Sequence, residues 1–126
     1  MTARDEVGNL IAAYCHALDD GRADDVVATF CADGVIDIPG MGTHAGREAL
    51  RAAYGGWAPR RPQRHVVVNT HVTEVSDTEA HATSDLLFLV LTDDGWKVRM
   101  VGRYHDVVCN HDGAWKFHHR RAEFVS

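Results

Sequence analysis

The sequence lacks the features that most quickly place a protein in a class, and each absence excludes something. No apolar run approaches the roughly 20 residues of a membrane-spanning helix, so no membrane partner is read from it. Positive charge is scarce: 13 Lys and Arg stand against 18 Asp and Glu, for a net charge of -5. Phosphate binding wants clustered cations, so this balance argues against a nucleic-acid partner. The one basic run, "HHRR" from His118 to Arg121, is too short to change that. Cys15, Cys31 and Cys109 are odd in number and show no paired spacing. They exclude a disulfide framework and read as reduced thiols of a cytoplasmic protein. The polar, acidic start "MTARDEVGNL" does not read as a signal peptide. No repeat, low-complexity tract or linker interrupts the chain.

What is present is ordinary in bulk and specific in pattern. The 126 residues are 45% apolar and 25% charged, which suits one domain spanning 1–126 with a real core. Thr2 is a cap for a first helix whose first turn carries Asp5 and Glu6. Val7, Leu10, Ile11, Tyr14 and Leu18 recur at helical spacing as a buried stripe, and Gly21 ends it. A second helix is predicted over about 23–31, a short strand over 35–38, a glycine-rich reversal at "GMGTHAG" and a third helix over about 47–54. From His65 onward the period changes to two. Four long strands follow, with turns at "SDTE", "DDG" and "NHDG". Helices first and an antiparallel meander after them predict an α+β fold, with helices on one face of a curved sheet and a concave pocket between.

The candidate chemistry begins in "YCHALDDGRADD". Each helical residue advances about 100°. With the stripe centred on Tyr14 and Leu18, Asp19 falls on its flank and Asp20 faces solvent. Two carboxylates at a helix C-terminus oppose the helix dipole, which invites an explanation. The chain holds nine histidines. Strict alternation sets His65 and His71 on one strand face with Val67, Asn69 and Thr73, a mixed face such as a pocket wall shows. His118 and His119, adjacent on a strand, point to opposite faces. A metal site needs three or four convergent ligands, and no HxH, HExxH or paired-cysteine spacing occurs, so no metal is expected. Tyr104 and Asp106 share a strand face, where Gly102 leaves room for a ligand or a bend. Arg120 is a cation for an anionic group or carbonyl, although alternation sets it opposite Trp115 and Phe117.

Taken together, "IAAYCHALDDGRADDVVATFCADGVIDI", "GTHAGREAL", "RHVVVN", "GRYHDVV" and "GAWKFHHRRAEF" resemble the SnoaL-like branch of the nuclear transport factor 2-like superfamily over essentially the whole chain. The resemblance implies a conical α+β barrel, with three helices closing a curved sheet around an apolar cavity. Its nearest catalytic pattern is that of hexachlorocyclohexane dehydrochlorinase, scytalone dehydratase and bile-acid 7α-dehydratase, which pair an aspartate ending the first helix with a histidine opening a long strand. That pattern falls on Asp19 and His65, with Tyr14 matching the tyrosine of the bile-acid enzyme and Arg120 the family's last-strand arginine. It implies that neutral His65 takes a proton from carbon, that Asp19 orients the ring, and that Tyr14, Tyr104 or Arg120 stabilises charge on oxygen. No cofactor is implied, and the ligand is a small hydrophobic molecule. Ketosteroid isomerase shares the fold, but its base is an acid directly before a proline. Here Ile38 precedes Pro39, and Asp37 is one residue off. A non-catalytic binding or oligomerisation domain is the third reading. The apolar alternation of "DLLFLVL" leaves both sheet faces apolar, so a homodimer or homotrimer is expected.

Overall fold

Thr2 opens the first helix with a closed capping box. Its hydroxyl accepts the Asp5 N–H, and the Asp5 carboxylate accepts the Thr2 N–H. In this computed structural model, which describes residues 2–125, helix α1 runs Ala3–Asp19 and buries Val7, Ile11, Tyr14 and Cys15. Gly21, at φ 74°, ends it: its N–H reaches Leu18 O and the Arg22 N–H reaches Ala17 O. That paired closure needs the left-handed conformation glycine adopts freely.

Helix α2 spans only Ala23–Val27, shorter than the pattern predicts. The Thr29 hydroxyl donates to Val26 O, and Thr29 O accepts the Phe117 N–H, so the chain is already entering the sheet. Strand β1 is therefore Phe30–Ile38 rather than 35–38. The glycine-rich reversal pairs back as β2, Gly42–Ala45, and α3 covers Arg47–Gly56. The meander follows as β3 (Gln63–Glu74), β4 (Glu79–Thr92), β5 (Gly95–His111) and β6 (Ala114–Val125). The sheet order is β2-β1-β6-β5-β4-β3, with β1 and β6 parallel and every other pair antiparallel. This is the predicted α+β architecture: three helices on a six-stranded sheet that curls without closing. Strand β3 is an edge, and α1 packs chiefly against it.

Two bulges re-aim side chains that strict alternation misplaces. In β3 the register shifts between Val68 and His71, with Asn69 at φ 55°. Beyond it Val72 turns inward and His71 outward, so His71, Asn69 and Thr73 do not share the His65 face. In β6, Val107 and Val108 pair with His119 and Phe117, which leaves His118 as the extra residue. Phe117 and Arg120 consequently face the same way, both fully buried. In β4, Leu86 and Phe88 face inward while Leu87, Leu89 and Leu91 lie on the outer face. That outer face also presents Val66, Trp96, Val98 and Val101 to solvent. Among the described residues no helix is long and apolar enough to cross a membrane.

Gly102 has a different reason from the one its sequence position suggests. A Cβ there would stand 2.6 Å from the Glu123 carbonyl oxygen of β6. The glycine lets two backbones approach, and β6 would have to move to admit a methyl group. Gly102→Ala is therefore expected to destabilise the fold by about 1–3 kcal/mol, read as a lower urea midpoint. An unchanged midpoint would show that the strand shifts without cost.

Candidate active site

The flank position of Asp19 on α1 aims its carboxylate at the opening of β3. One oxygen lies 2.6 Å from His65 Nδ1 and accepts from Gln63 Nε2 at 3.2 Å; the other accepts the His65 backbone N–H at 2.8 Å. The Asp19 and His65 side chains are 5% and 11% exposed, whereas that of Asp20 is 56% exposed and meets Arg22. Burial pushes the Asp19 carboxyl up, but the hydrogen bonds from His65 and Gln63 outweigh it and hold the group below its ordinary value. The ring is held from its Nδ1 side, and it packs on Phe88 with centroids 4.6 Å apart.

His65 forms part of the wall of an apolar cavity of about 260 Å³. Leu18, Ile38, Trp57, Leu86, Met100 and Phe124 are among its lining residues. The polar groups in this wall are few: His65, Gln63 and the three tyrosines Tyr14, Tyr54 and Tyr104. The Tyr14 and Tyr54 hydroxyls are 2.5 Å apart. The Tyr104 hydroxyl has no hydrogen-bond partner among the described residues. Burial pushes the pKa of all three phenols up and so makes them weaker acids, and each is a protonated donor at neutral pH. Cys15, beside them on α1, is pushed up to about 11 by burial and remains a thiol.

Arg120 is fully buried but does not reach this cavity. Its guanidinium carbon lies 3.6 Å from the Tyr104 ring centroid, 4.3 Å from that of Tyr14 and 4.5 Å from that of Phe117. Its Nε stands 3.1 Å from Asp106 Oδ1, an ion pair without an aligned hydrogen bond. Burial pushes the Asp106 carboxyl up to about 6 against the opposing pull of Arg120. Direct ligand contact by Arg120 is thus corrected by the rings in front of it. Asn69 is corrected as well: it lies on the outer face, donating to Asp85 at 2.9 Å, because of the bulge it occupies. Asp37 also points away from the cavity, accepting from the Thr43 hydroxyl, while Ile38 faces in. No cluster of three or more His, Cys, Asp or Glu among the described residues is placed to hold a metal ion.

Tyr54, Gln63 and Phe88 escape sequence reasoning. Gln63 had a signal, being two residues before His65 on the same strand face. Tyr54 shares a helical face with Leu50, which reads as core. Phe88 lies in a continuous apolar run where alternation is invisible.

The profile of the SnoaL-like domain matches residues 1–121 of the chain. No curated protein matches it. Among solved structures, a protein of Catenulispora acidiphila in complex with S-DNPA is 29% identical and superposes with a TM-score of 0.86, over 96% of this chain and 92% of that one. A protein of unknown function from Mycobacterium tuberculosis is 25% identical, TM-score 0.88, over 95% and 70% of the two chains. A candidate scytalone dehydratase from Novosphingobium aromaticivorans, 23% identical with a TM-score of 0.86 over 98% and 84%, shares the fold.

The Asp19 contacts bear on stability as well as on chemistry. The carboxyl ordinarily titrates at 3.8 and lower in this fold. Its stabilising contribution is therefore complete above that ordinary value and is lost as pH falls through the folded one. Asp19→Asn is expected to cost about 1–3 kcal/mol at pH 6, a gap that narrows steadily in denaturation curves taken toward pH 2. A gap of constant size across that range would contradict the assignment.

Proposed function

The chain belongs to the SnoaL-like domain family, and from that premise we propose that it is a cofactor-independent lyase of the dehydratase type. The substrate class is small, hydrophobic and polycyclic, steroid- or polyketide-like, and the setting is the cytoplasm. One observation carries the reading: an imidazole held by a buried carboxylate forms part of the wall of an apolar cavity. The Catenulispora relative is a complex with the small molecule S-DNPA, which supports a small-molecule ligand for this chain.

In this mechanism Asp19 holds the His65 proton on Nδ1 and leaves Nε2 as a lone-pair acceptor. His65 takes a proton from a carbon next to a carbonyl or similar group. The electron pair moves toward that oxygen, where the Tyr104 hydroxyl and the Tyr14–Tyr54 pair donate hydrogen bonds. The adjacent C–O bond then breaks as the double bond forms, and the imidazolium returns its proton to the departing hydroxide as water. Asp19 stabilises the imidazolium in between. The apolar wall strengthens each of these interactions by excluding water. An isomerase using Asp37 as its base is not supported, since that acid points away from the cavity.

A panel of hydroxylated polycyclic ketones tests the proposal. Turnover is expected to fall about 10²–10⁴-fold in His65→Ala and strongly in Asp19→Asn, and to be nearly unchanged in Asp20→Asn. No metal takes part in the proposed steps, so EDTA should leave the wild-type rate unaltered. Binding of panel members without turnover would favour a carrier instead.

The apolar outer face of the sheet leads us to propose a homodimer or homotrimer as well. Sedimentation should show a species larger than the 13.9 kDa chain at micromolar concentration. A clean monomer would contradict this.

A further inference from the structure

Arg120 poses a problem that the proposed chemistry leaves open. A guanidinium offers five N–H donors, yet the Nε and both terminal nitrogens of Arg120 are buried without a hydrogen-bond acceptor. Its neighbours are instead ring faces: Tyr104 at 3.6 Å, Tyr14 at 4.3 Å and Phe117 at 4.5 Å from the guanidinium carbon. Two of these rings carry hydroxyls and line the cavity; the third, Phe117, does not line it. Among the described residues the only counter-charge in contact is Asp106, whose carboxylate is also fully buried. The positive end of this ion pair lies against the tyrosines.

A cation against a phenol ring withdraws electron density from the π system. The hydroxyl becomes a stronger hydrogen-bond donor and a better neighbour for negative charge. In agreement, Arg120 opposes the effect of burial on both Tyr14 and Tyr104. We propose that Arg120 is a positioning residue that acts on the ligand through the rings of Tyr14 and Tyr104, so that the cavity favours an anionic, phenolate- or enolate-like oxygen over its neutral form. Asp106 limits the effect by balancing the charge. The proposal rests on reading the cavity as a substrate site, but its test is one of binding and needs no turnover.

The probe is 4-nitrophenol, whose neutral and ionised forms absorb at different wavelengths. Affinity for each form is measured by titration near neutral pH, with His65 present in every variant so that its contribution cancels. Replacing a buried ion pair by apolar residues is commonly tolerated, so the main variant is Arg120→Met with Asp106→Leu. The ratio of phenolate to phenol affinity is expected to fall about tenfold in it, a size between that of an exposed and that of a desolvated cation–π contact. Asp106→Asn alone, where it folds, should move the ratio the other way. In a Tyr14→Phe, Tyr104→Phe background, which keeps the rings and removes the hydroxyls, the loss on removing the ion pair should shrink to less than about twofold. A ratio unchanged by the main variant would reduce Arg120 to a packing role and overturn the proposal. So would a tenfold loss that survives without the hydroxyls, or failure of the wild type to bind 4-nitrophenol at millimolar concentration. Loss of turnover in the panel assay with an intact affinity ratio would instead fault the lyase reading alone.

Discussion

The carboxylate of Asp19 ties the first helix to the edge of the sheet, and the rest of the site depends on that tie. Strand β3 has a free edge, and the N–H of His65 would point from it without a partner. Asp19 accepts that N–H, the ring Nδ1–H of the same residue and the amide of Gln63. A carboxylate at a helix C-terminus opposes the helix dipole, and these three donors offset that cost. The same bonds fix where the imidazole sits and which of its nitrogens is free. Structure and proposed chemistry are therefore carried by one set of contacts.

Behind the cavity-lining rings of Tyr14 and Tyr104 stands a second buried pair, Arg120 with Asp106. Helix α1 serves both pairs, since Tyr14 and Asp19 lie five residues apart on it. A rotation of that helix would displace the oxygen donors and the imidazole support together. The cavity wall is mostly carbon, so charges there interact in a medium of low polarity. That arrangement suits a reaction in which a proton leaves carbon and negative charge gathers on oxygen.

How far the sequence reveals this differs from residue to residue. The helical stripe is regular enough to turn Asp19 inward and Asp20 outward, and the change of period at His65 marks the meander. The architecture follows from the order of those patterns. Bulges do not show themselves in the same way. Asn69 and His118 each add one residue to a strand, and a single extra residue reverses every side chain beyond it. That is why Asn69 leaves the predicted pocket wall and why Arg120 joins Phe117 in the interior. The end of α2 is lost for another reason: Thr29 and Phe30 fit a helix locally, and only contact with Phe117, far along the chain, ends the helix there and starts the strand at Phe30. The tyrosine neighbours of Arg120 come from α1 and β5, with Phe117 on its own strand, and sequence spacing carries no trace of their meeting.

The central claim is that Asp19 keeps the His65 proton on Nδ1 and leaves Nε2 free to act as a base. Nitrogen-15 NMR of labelled protein reads this directly, because protonated and bare ring nitrogens resonate far apart. At mildly alkaline pH the account predicts a protonated Nδ1 and a bare Nε2 for His65, a distinction that blurs into tautomer exchange in Asp19→Asn. A proton resident on Nε2 in the wild-type protein would contradict it.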